Sequence, residues 1–213
     1  MKKILTITLL LIAINAQGQG LPVPANATLA SLFPDENLRA VLFRILDREG
    51  YVDNNGDLIL IGQELSNALA TIDMLFADGR NIINADGIEY LVGLRGLVIA
   101  GNLLTNLNVS SNINLELLDI EGNNLTNLDL SNNINLWSLW LAGNNLVDLD
   151  LSNNINLTRL DIRDNPLISL DLSNNINLEY LWVNGALLDN TLFITKNIIG
   201  FRDDIKLNYS PSD

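Results

Sequence analysis

The sequence of 213 residues contains no histidine and no cysteine. These absences exclude a Ser-His-Asp triad, a thiolate or imidazole nucleophile, the usual zinc sites and any disulfide. Basic residues are scarce as well, since 12 Lys and Arg face 25 Asp and Glu and give a formal charge of −13. Nucleic acids and anionic lipids are bound mainly through Lys and Arg, so neither is predicted as a partner. Leucine and asparagine are abundant instead, and a hydrophobic content of 48% is sufficient for a folded core.

A short apolar run at the amino terminus is the only stretch that resembles a membrane anchor. It covers residues 4–14, follows Lys2 and Lys3, and is followed by the small residues Ala16 and Gly18. The run is shorter than the roughly 20 residues that a bilayer requires. The order basic, apolar, small is typical of a secretory signal peptide. We therefore predict a signal peptide over residues 1–20, no membrane span, and a mature protein that is secreted, periplasmic or at the cell surface.

A 21-residue repeat dominates the rest of the chain. Its first half has the pattern Leu-x-x-Leu-x-Ile-x-x-Asn with apolar exchanges, and it begins at Leu94, Leu115, Leu136 and Leu157. A further copy over 178–186 lacks the Asn, and an imperfect earlier copy begins at residue 72. The alternating apolar residues predict a short strand with one buried face, and stacked turns would place these strands about 4.8 Å apart in a parallel sheet. The recurring Asn could satisfy buried backbone groups where each strand ends.

The second half of each repeat is equally regular. The segment Leu-Asp-Leu-Ser-Asn-Asn-Ile occupies residues 128–134, 149–155 and 170–176. Its Leu and Ile side chains would fill the core from the opposite wall, and Ser-Asn-Asn predicts a return turn. The acidic residues form a ladder on that wall, and either a bridging cation or hydrogen bonds from Ser and Asn must offset their repulsion. We expect hydrogen bonds, because the acid belongs to the repeat itself; these residues are Asp129, Asp150 and Asp171.

With both halves present in each turn, residues 72–188 resemble the leucine-rich-repeat family in its short bacterial form. The resemblance implies an α/β-type solenoid, a right-handed superhelix of mostly strand and turn with a parallel sheet on its concave wall. Residues 21–71 include stretches with helical spacing and are interpreted as a small helical amino-terminal cap. Residues 189–213 are interpreted as a carboxy-terminal cap. The amino-terminal segment resembles the cap of secreted bacterial leucine-rich-repeat proteins, including the internalins.

A loop within this cap resembles an EF-hand. Asp53, Asn55, Asp57 and Glu64 occupy positions one, three, five and twelve of the EF-hand pattern, at which oxygen ligands bind Ca²⁺. Leu58 occupies position six, where the sharp turn of an EF-hand requires Gly. The sequence also contains no second EF-hand. Two interpretations stay open: a calcium site, or a polar loop that keeps the pattern without the ion.

Aromatic and charged side chains meet on the predicted concave wall. Alternation points them outward from neighbouring strands, with the two Trp residues about 10 Å apart. Exposed aromatic residues beside Arg are typical of protein-binding hot spots, and aromatic faces also suit sugar rings. The alternative is that the rings only shield the sheet. The predicted ligand-binding residues are Trp140, Arg159, Asp161, Arg163, Tyr180 and Trp182.

The function predicted from these features is a non-catalytic recognition module that binds a protein partner along the concave wall. The alternatives are a carbohydrate-binding module that uses the Trp and Tyr residues, and a structural protein of the envelope or matrix. Asp119 and Glu121 would lie about 7 Å apart on one face, as the paired carboxylates of some glycosidases do. Alternating acids produce this spacing by accident and the sequence implies no pocket, so we predict no enzymatic activity.

Overall fold

The computed structural model describes residues 20–183 and the backbone of two further strands at 192–193 and 200–201. The predicted signal peptide therefore lies outside the described residues, except for Gly20. Most of the predicted carboxy-terminal cap lies outside them too. Within the described part, no helix is long and apolar enough to cross a membrane.

Helices occur only in the first part of the described chain. They are α1 (Leu29–Leu32), α2 (Glu36–Arg48) and α3 (Gly62–Ala70), followed by one 3₁₀ helix (Ile88–Tyr90). Helix α2 buries an apolar stripe at Leu38, Leu42 and Leu46 with the i, i+4 spacing of one helix face.

Asp35 caps helix α2 and also joins it to the first turn of the repeat. One carboxylate oxygen accepts hydrogen bonds from the backbone N–H groups of Asn37 and Leu38 at 2.9 and 3.0 Å. The other accepts from the N–H groups of Ile83 and Asn84 at 2.9 and 3.2 Å. Burial acts to raise the pKa of Asp35, but these four hydrogen bonds to the charged form outweigh it and lower the pKa. The helical region and the repeats are thus joined through one buried carboxylate.

The described strands are β1 (Met74–Phe76), β2 (Gly96–Val98), β3 (Leu117–Asp119), β4 (Ser138–Trp140), β5 (Arg159–Asp161), β6 (Leu170–Asp171), β7 (Tyr180–Trp182), β8 (Leu192–Phe193) and β9 (Gly200–Phe201). Seven of them form the main parallel sheet in the order β1-β2-β3-β4-β5-β7-β9, and β6 and β8 form a second, two-stranded parallel sheet.

The sheet is in register with the sequence repeat. Leu118 pairs with Leu139, and Leu139 pairs with Leu160, each at the centre of its strand. All three side chains are fully buried in one continuous core. This arrangement confirms the predicted solenoid of stacked turns. Strand β9 extends the main sheet into the segment that was predicted to be the carboxy-terminal cap.

The recurring Asn at the end of each strand bonds as predicted. In Asn144 the amide nitrogen donates to the carbonyls of Ile120 and Leu141 at 2.9 and 3.0 Å. Its amide oxygen accepts from the N–H of Leu125 at 3.1 Å. Each such Asn therefore closes its own turn and holds the preceding one; the equivalent buried residues are Asn102, Asn123 and Asn165.

The return segments of each repeat form what we call the turn wall, over residues 128–134, 149–155 and 170–176. Its Asp side chains accept hydrogen bonds from the backbone N–H two residues on, as Asp129 does from Ser131 at 2.9 Å and Asp150 from Ser152 at 2.9 Å. Hydrogen bonds from the Ser hydroxyl and N–H lower the pKa of these carboxyls. The expected hydrogen bonds from Ser to the acidic ladder are therefore present.

The turn wall also contains a second column of buried Asn that the sequence analysis assigned only to the return turn. The amide nitrogen of Asn133 donates to the carbonyls of Val109 and Asn112 at 3.0 and 2.9 Å. Asn154 repeats both bonds one turn later. Two Asn columns, one on each wall, therefore connect successive turns.

Candidate recognition surface on the sheet

We call the outward side of the main sheet the sheet face, formed by the first and third residues of its strands and the residue two positions beyond. At the third position Asp119, Trp140, Asp161 and Trp182 lie side by side on β3, β4, β5 and β7. Unlike the core positions, this row changes its chemistry from one turn to the next. It is where the predicted ligand-binding residues come together.

The two Trp rings form one stacked pair. Their centroids are 5.0 Å apart with 29° between the ring planes, although strand β5 separates their strands. Two strand spacings correspond to the expected separation of about 10 Å between the Trp backbone positions. The rings themselves lean toward each other and are closer than that. The indole N–H of Trp140 donates to the hydroxyl of the buried Ser138 at 2.9 Å. Stacking and this hydrogen bond fix the Trp140 ring without any ligand.

Asp161 is the exception among the predicted ligand-binding residues. It lies between the two Trp positions and is fully buried, with 0% exposure. The Nε atom of Arg163 donates to its two carboxylate oxygens at 3.0 and 3.1 Å. Because its carboxylate is covered, Asp161 cannot contact a ligand directly, which corrects the expectation from the sequence. It positions Arg163, whose side chain remains 43% exposed.

Arg159 is exposed and lies between two aromatic rings. Its guanidinium carbon is 5.2 Å from the ring centroid of Trp137 and 5.7 Å from that of Tyr180, within the range of a cation–π interaction. The Tyr180 ring in turn stacks on Trp182, with centroids 6.0 Å apart and 14° between the planes. The aromatic–arginine patch therefore consists of Trp137, Trp140, Arg159, Arg163, Tyr180 and Trp182.

Trp137 is a member of the patch that the sequence analysis missed. It precedes strand β4 by one residue, and its carbonyl accepts hydrogen bonds from the N–H groups of Thr158 and Arg159. The strand register contained the necessary signal. Ser138 pairs with Arg159, so the residue before Ser138 lies diagonally beside the Arg.

Two carboxyl groups, those of Asp119 and Glu121, border the patch on the side of β3. Burial raises the pKa of Asp119, the charges of Asp78 and Asp161 raise it further, and the N–H of Glu121 opposes the shift. Burial also raises the pKa of Glu121, together with the charges of Asp119 and Asp161, while Arg163 opposes it. Each carboxyl therefore takes up a proton at a higher pH than an exposed one does.

The EF-hand-like loop is a tight turn closed by its own backbone. Val52 bridges Leu58 in antiparallel fashion, and one carboxylate oxygen of Asp53 accepts from the N–H groups of Asn55 and Asp57 at 2.8 and 2.9 Å. These hydrogen bonds lower the pKa of Asp53. The carboxylate that would be the first calcium ligand is thus already bonded to the turn.

The remaining predicted calcium ligands do not complete a metal site in this arrangement. Glu64 is exposed on the first turn of α3. In the part of the chain that the structure describes, no three acidic side chains are grouped so that they could hold a metal ion. Asp53, Asp57 and Glu64 are thus not grouped around one point in this structure, and both interpretations of the loop stay open.

Two solved internalin structures are similar to this chain. The functional domain of InlJ from Listeria monocytogenes, described as including a cysteine ladder, is 30% identical with a TM-score of 0.64, over 75% of this chain and 34% of that one. An internalin, InlF, from Listeria monocytogenes is 23% identical with a TM-score of 0.54, over 74% of this chain and 58% of that one. This chain thus spans about a third of the InlJ chain and, having no cysteine, cannot form a cysteine ladder. No family model and no curated protein matches the sequence.

The stacked parallel strands, the repeat and these two structures agree with one another. The two similar structures share the fold, and solenoids of this kind commonly mediate protein interactions through their extended surfaces. The chain therefore has a leucine-rich-repeat solenoid fold similar to that of the internalins.

Proposed function

We propose that this protein is an exported, non-catalytic recognition module that binds a protein partner through the concave sheet face. The observation that carries the proposal is the aromatic–arginine patch, in which exposed Arg159 lies between Trp137 and Tyr180. Trp, Tyr and Arg are the residues that most often dominate binding energy at protein interfaces.

The patch is held in place before any partner arrives, which supports a binding role. Trp140 is fixed by Ser138 and by Trp182, and Arg163 is fixed by Asp161. Side chains that are already ordered lose less conformational entropy on binding. The rings and guanidinium groups are thus suited to contact a partner without rearrangement.

The alternative of a carbohydrate ligand is less well supported. Trp140 stacks on Trp182, and its indole N–H is bonded to Ser138. One face and the polar atom of this ring are therefore engaged within the protein. A sugar would have to bind the remaining exposed edges and faces of the three rings.

Export is proposed from the amino-terminal sequence, with one structural refinement. The N–H of Gly20 donates to the side-chain oxygen of Asn67 at 3.0 Å, and a Cβ at Gly20 would overlap the carbonyl of Ser66. Gly20 therefore packs within the folded protein. We expect the signal peptide to be cleaved before Gly20, after the segment Ala16-Gln-Gly18 with its small first and third residues. Amino-terminal sequencing of the exported protein would show this.

The test is capture of a partner from the natural surroundings of the protein, using immobilised wild type and two variants. Arg159→Glu reverses the charge at the centre of the patch, and Arg95→Glu makes the same change at an exposed Arg outside it. We expect one captured protein to be lost with Arg159→Glu and retained with Arg95→Glu. Equal capture by all three proteins would contradict the proposal. Binding on a glycan array that Trp140→Ala and Trp182→Ala abolish would support the carbohydrate alternative.

A further inference from the structure

A second surface is defined by arginine residues that have no partner among the described residues. Residues 20–183 contain seven basic residues, all Arg. Four of them are engaged: Arg39 donates to the carbonyls of Phe33 and Pro34, Arg95 pairs with Glu116, Arg163 pairs with Asp161, and Arg159 contacts two rings.

The guanidinium groups of Arg44, Arg48 and Arg80 make no hydrogen bond, ion pair or ring contact with any described residue. These three residues line a single cleft of about 700 Å³ between helix α2 and strand β1. Unpaired cations that converge on one cleft in a protein of net charge −13 indicate a site for an anion.

One face of α2 forms the first wall of this cleft. Val41, Arg44, Ile45 and Arg48 follow the spacing i, i+3, i+4, i+7, so they share a side of the helix. The adjoining Leu stripe of α2 faces the core, and Val41 lies buried at the boundary between the two. Arg44 and Arg48 lie one helical turn apart and project into the same space.

The first turn of the repeat forms the second wall. Met74 and Phe76 are the outward residues of β1 and are 36% and 60% exposed. Arg80 follows, with its backbone N–H held at 2.9 Å by the amide oxygen of Asn102. The cleft therefore combines apolar contact surface with guanidinium groups, and it opens onto the first strand of the sheet face.

The acidic residues on the cleft rim do not neutralise these cations. Glu49 and Asp73 also line the cleft, but neither forms an ion pair with an Arg in the described part of the chain. Three guanidinium groups and two carboxylates line the cleft, so its lining carries a net charge of about +1. Guanidinium forks match carboxylates in geometry and form strong charge-assisted hydrogen bonds with them.

We propose that this cleft binds an acidic segment of a protein partner, whose carboxylate side chains pair with Arg44, Arg48 and Arg80 while an adjoining apolar side chain packs on Met74 and Phe76. The cleft volume lies in the range of about 300–1,000 Å³ typical of ligand sites. Because the occupant is taken to be part of a protein, this inference rests on the proposed function. It concerns a site at the opposite end of the sheet from the aromatic–arginine patch.

The test uses the full folded protein and three fluorescent five-residue peptides, blocked at both ends so that only side chains carry charge. Each alternates phenylalanine with glutamate, with glutamine or with lysine, and binding is followed by fluorescence polarisation at 0.15 M salt. We expect saturable binding of the glutamate peptide at one site and weaker binding of the other two peptides. No saturation at millimolar protein, or equal binding of the glutamine peptide, would overturn the inference.

Variants locate the site. Arg44→Gln/Arg48→Gln should weaken binding of the glutamate peptide by at least about tenfold, because two of the three guanidinium groups that pair with its carboxylates are removed. Arg95→Gln removes one charge at an exposed Arg outside the cleft and should change binding by less than about twofold. Gln favours helices as Arg does, and Arg95 is exposed outside any helix, so both proteins should fold, and circular dichroism would verify this. Unchanged binding by the double variant would overturn the assignment.

The result can be separated from the proposed function. Arg159→Glu should abolish capture of the natural partner but leave binding of the glutamate peptide intact. If the peptide binds while the patch captures nothing, the cleft assignment stands and the proposed role of the patch fails. If the patch captures a partner while the peptide does not bind, only the cleft assignment fails.

Discussion

The turn wall and the sheet face come from the same repeat unit but use their polar side chains in opposite ways. On the turn wall each Asp and buried Asn recurs in every turn and bonds to the backbone, as Asp150 and Asn154 do. On the sheet face the outward residues change from turn to turn, and Arg159 is exposed between two rings. Repetition thus marks the side chains that hold turns together, and variation marks those available to a partner.

The largest effect is expected from the Asn that ends the strand in four successive turns. Asn144→Ala leaves the buried N–H of Leu125 without a partner and removes one of the two amide hydrogen bonds that the carbonyls of Ile120 and Leu141 each accept. We expect a loss of about 3–4 kcal/mol in the free energy of unfolding. The neighbouring exposed Asn145, replaced by Ala, should cost less than about 0.5 kcal/mol. Urea denaturation measures both. Similar losses of stability in the two variants would contradict the structural role assigned to the buried Asn side chains.

Asp35 tests whether repetition is necessary for a structural role, because it occurs once and still accepts four backbone hydrogen bonds. We expect Asp35→Ala to lower the free energy of unfolding by about 2–3 kcal/mol at neutral pH. The folded-state pKa is lowered, so this stabilisation is present above the unfolded-state pKa and is lost as the pH falls through the folded-state pKa.

The measurement is a series of urea midpoints for wild type and Asp35→Ala from pH 7 down to pH 3. The gap between the two proteins should narrow at the acidic end. A gap that is independent of pH would show that the carboxylate charge contributes nothing to the cap.

Replacing an Asp by Asn should have a smaller effect on the free energy of unfolding, and its sign should differ between the sheet face and the turn wall. The pKa of Asp119 is raised, so its charge costs stability at neutral pH, and Asp119→Asn should stabilise by about 0.5 kcal/mol at pH 7. That gain should disappear as the pH falls, because the wild-type carboxyl is then protonated. The pKa of Asp150 is lowered, so Asp150→Asn should destabilise slightly, again by no more than about 0.5 kcal/mol. Changes of the same sign in both variants would contradict this comparison.

The smallest effect is expected from calcium at the EF-hand-like loop. Because the acidic side chains are not grouped there, we expect millimolar Ca²⁺ to leave the melting temperature unchanged, with Mg²⁺ as the control. An ion bound only by the folded state must raise stability, by about 2.7 kcal/mol at a hundred times its Kd. A clear rise that Asp53→Ala abolishes would instead support the calcium site predicted from the sequence.

The solenoid could be predicted because its signal is repeated. Leu118, Leu139 and Leu160 recur at the same position of successive turns, and stacking the turns in register buries all three. The predicted patch was less complete, because each of its contacts occurs once. The stacking of Trp140 on Trp182 and the burial of Asp161 depend on side-chain rotamers, which the repeat does not specify. The cleft beside α2 depends on how a helix packs against the first strand, and no periodicity encodes that contact.

The in-register pairing of the strands has a consequence for how such proteins can change. Duplication or deletion of one whole repeat unit between β1 and β4 would give the flanking turns an equivalent neighbour, with the same backbone hydrogen bonds at the same positions. It would alter the distance between the arginine cleft at β1 and the Trp pair at β4 and β7 by one strand spacing, about 4.8 Å. The separation of two anchoring points on a partner could thus evolve in fixed increments, with neither anchor needing to be rebuilt.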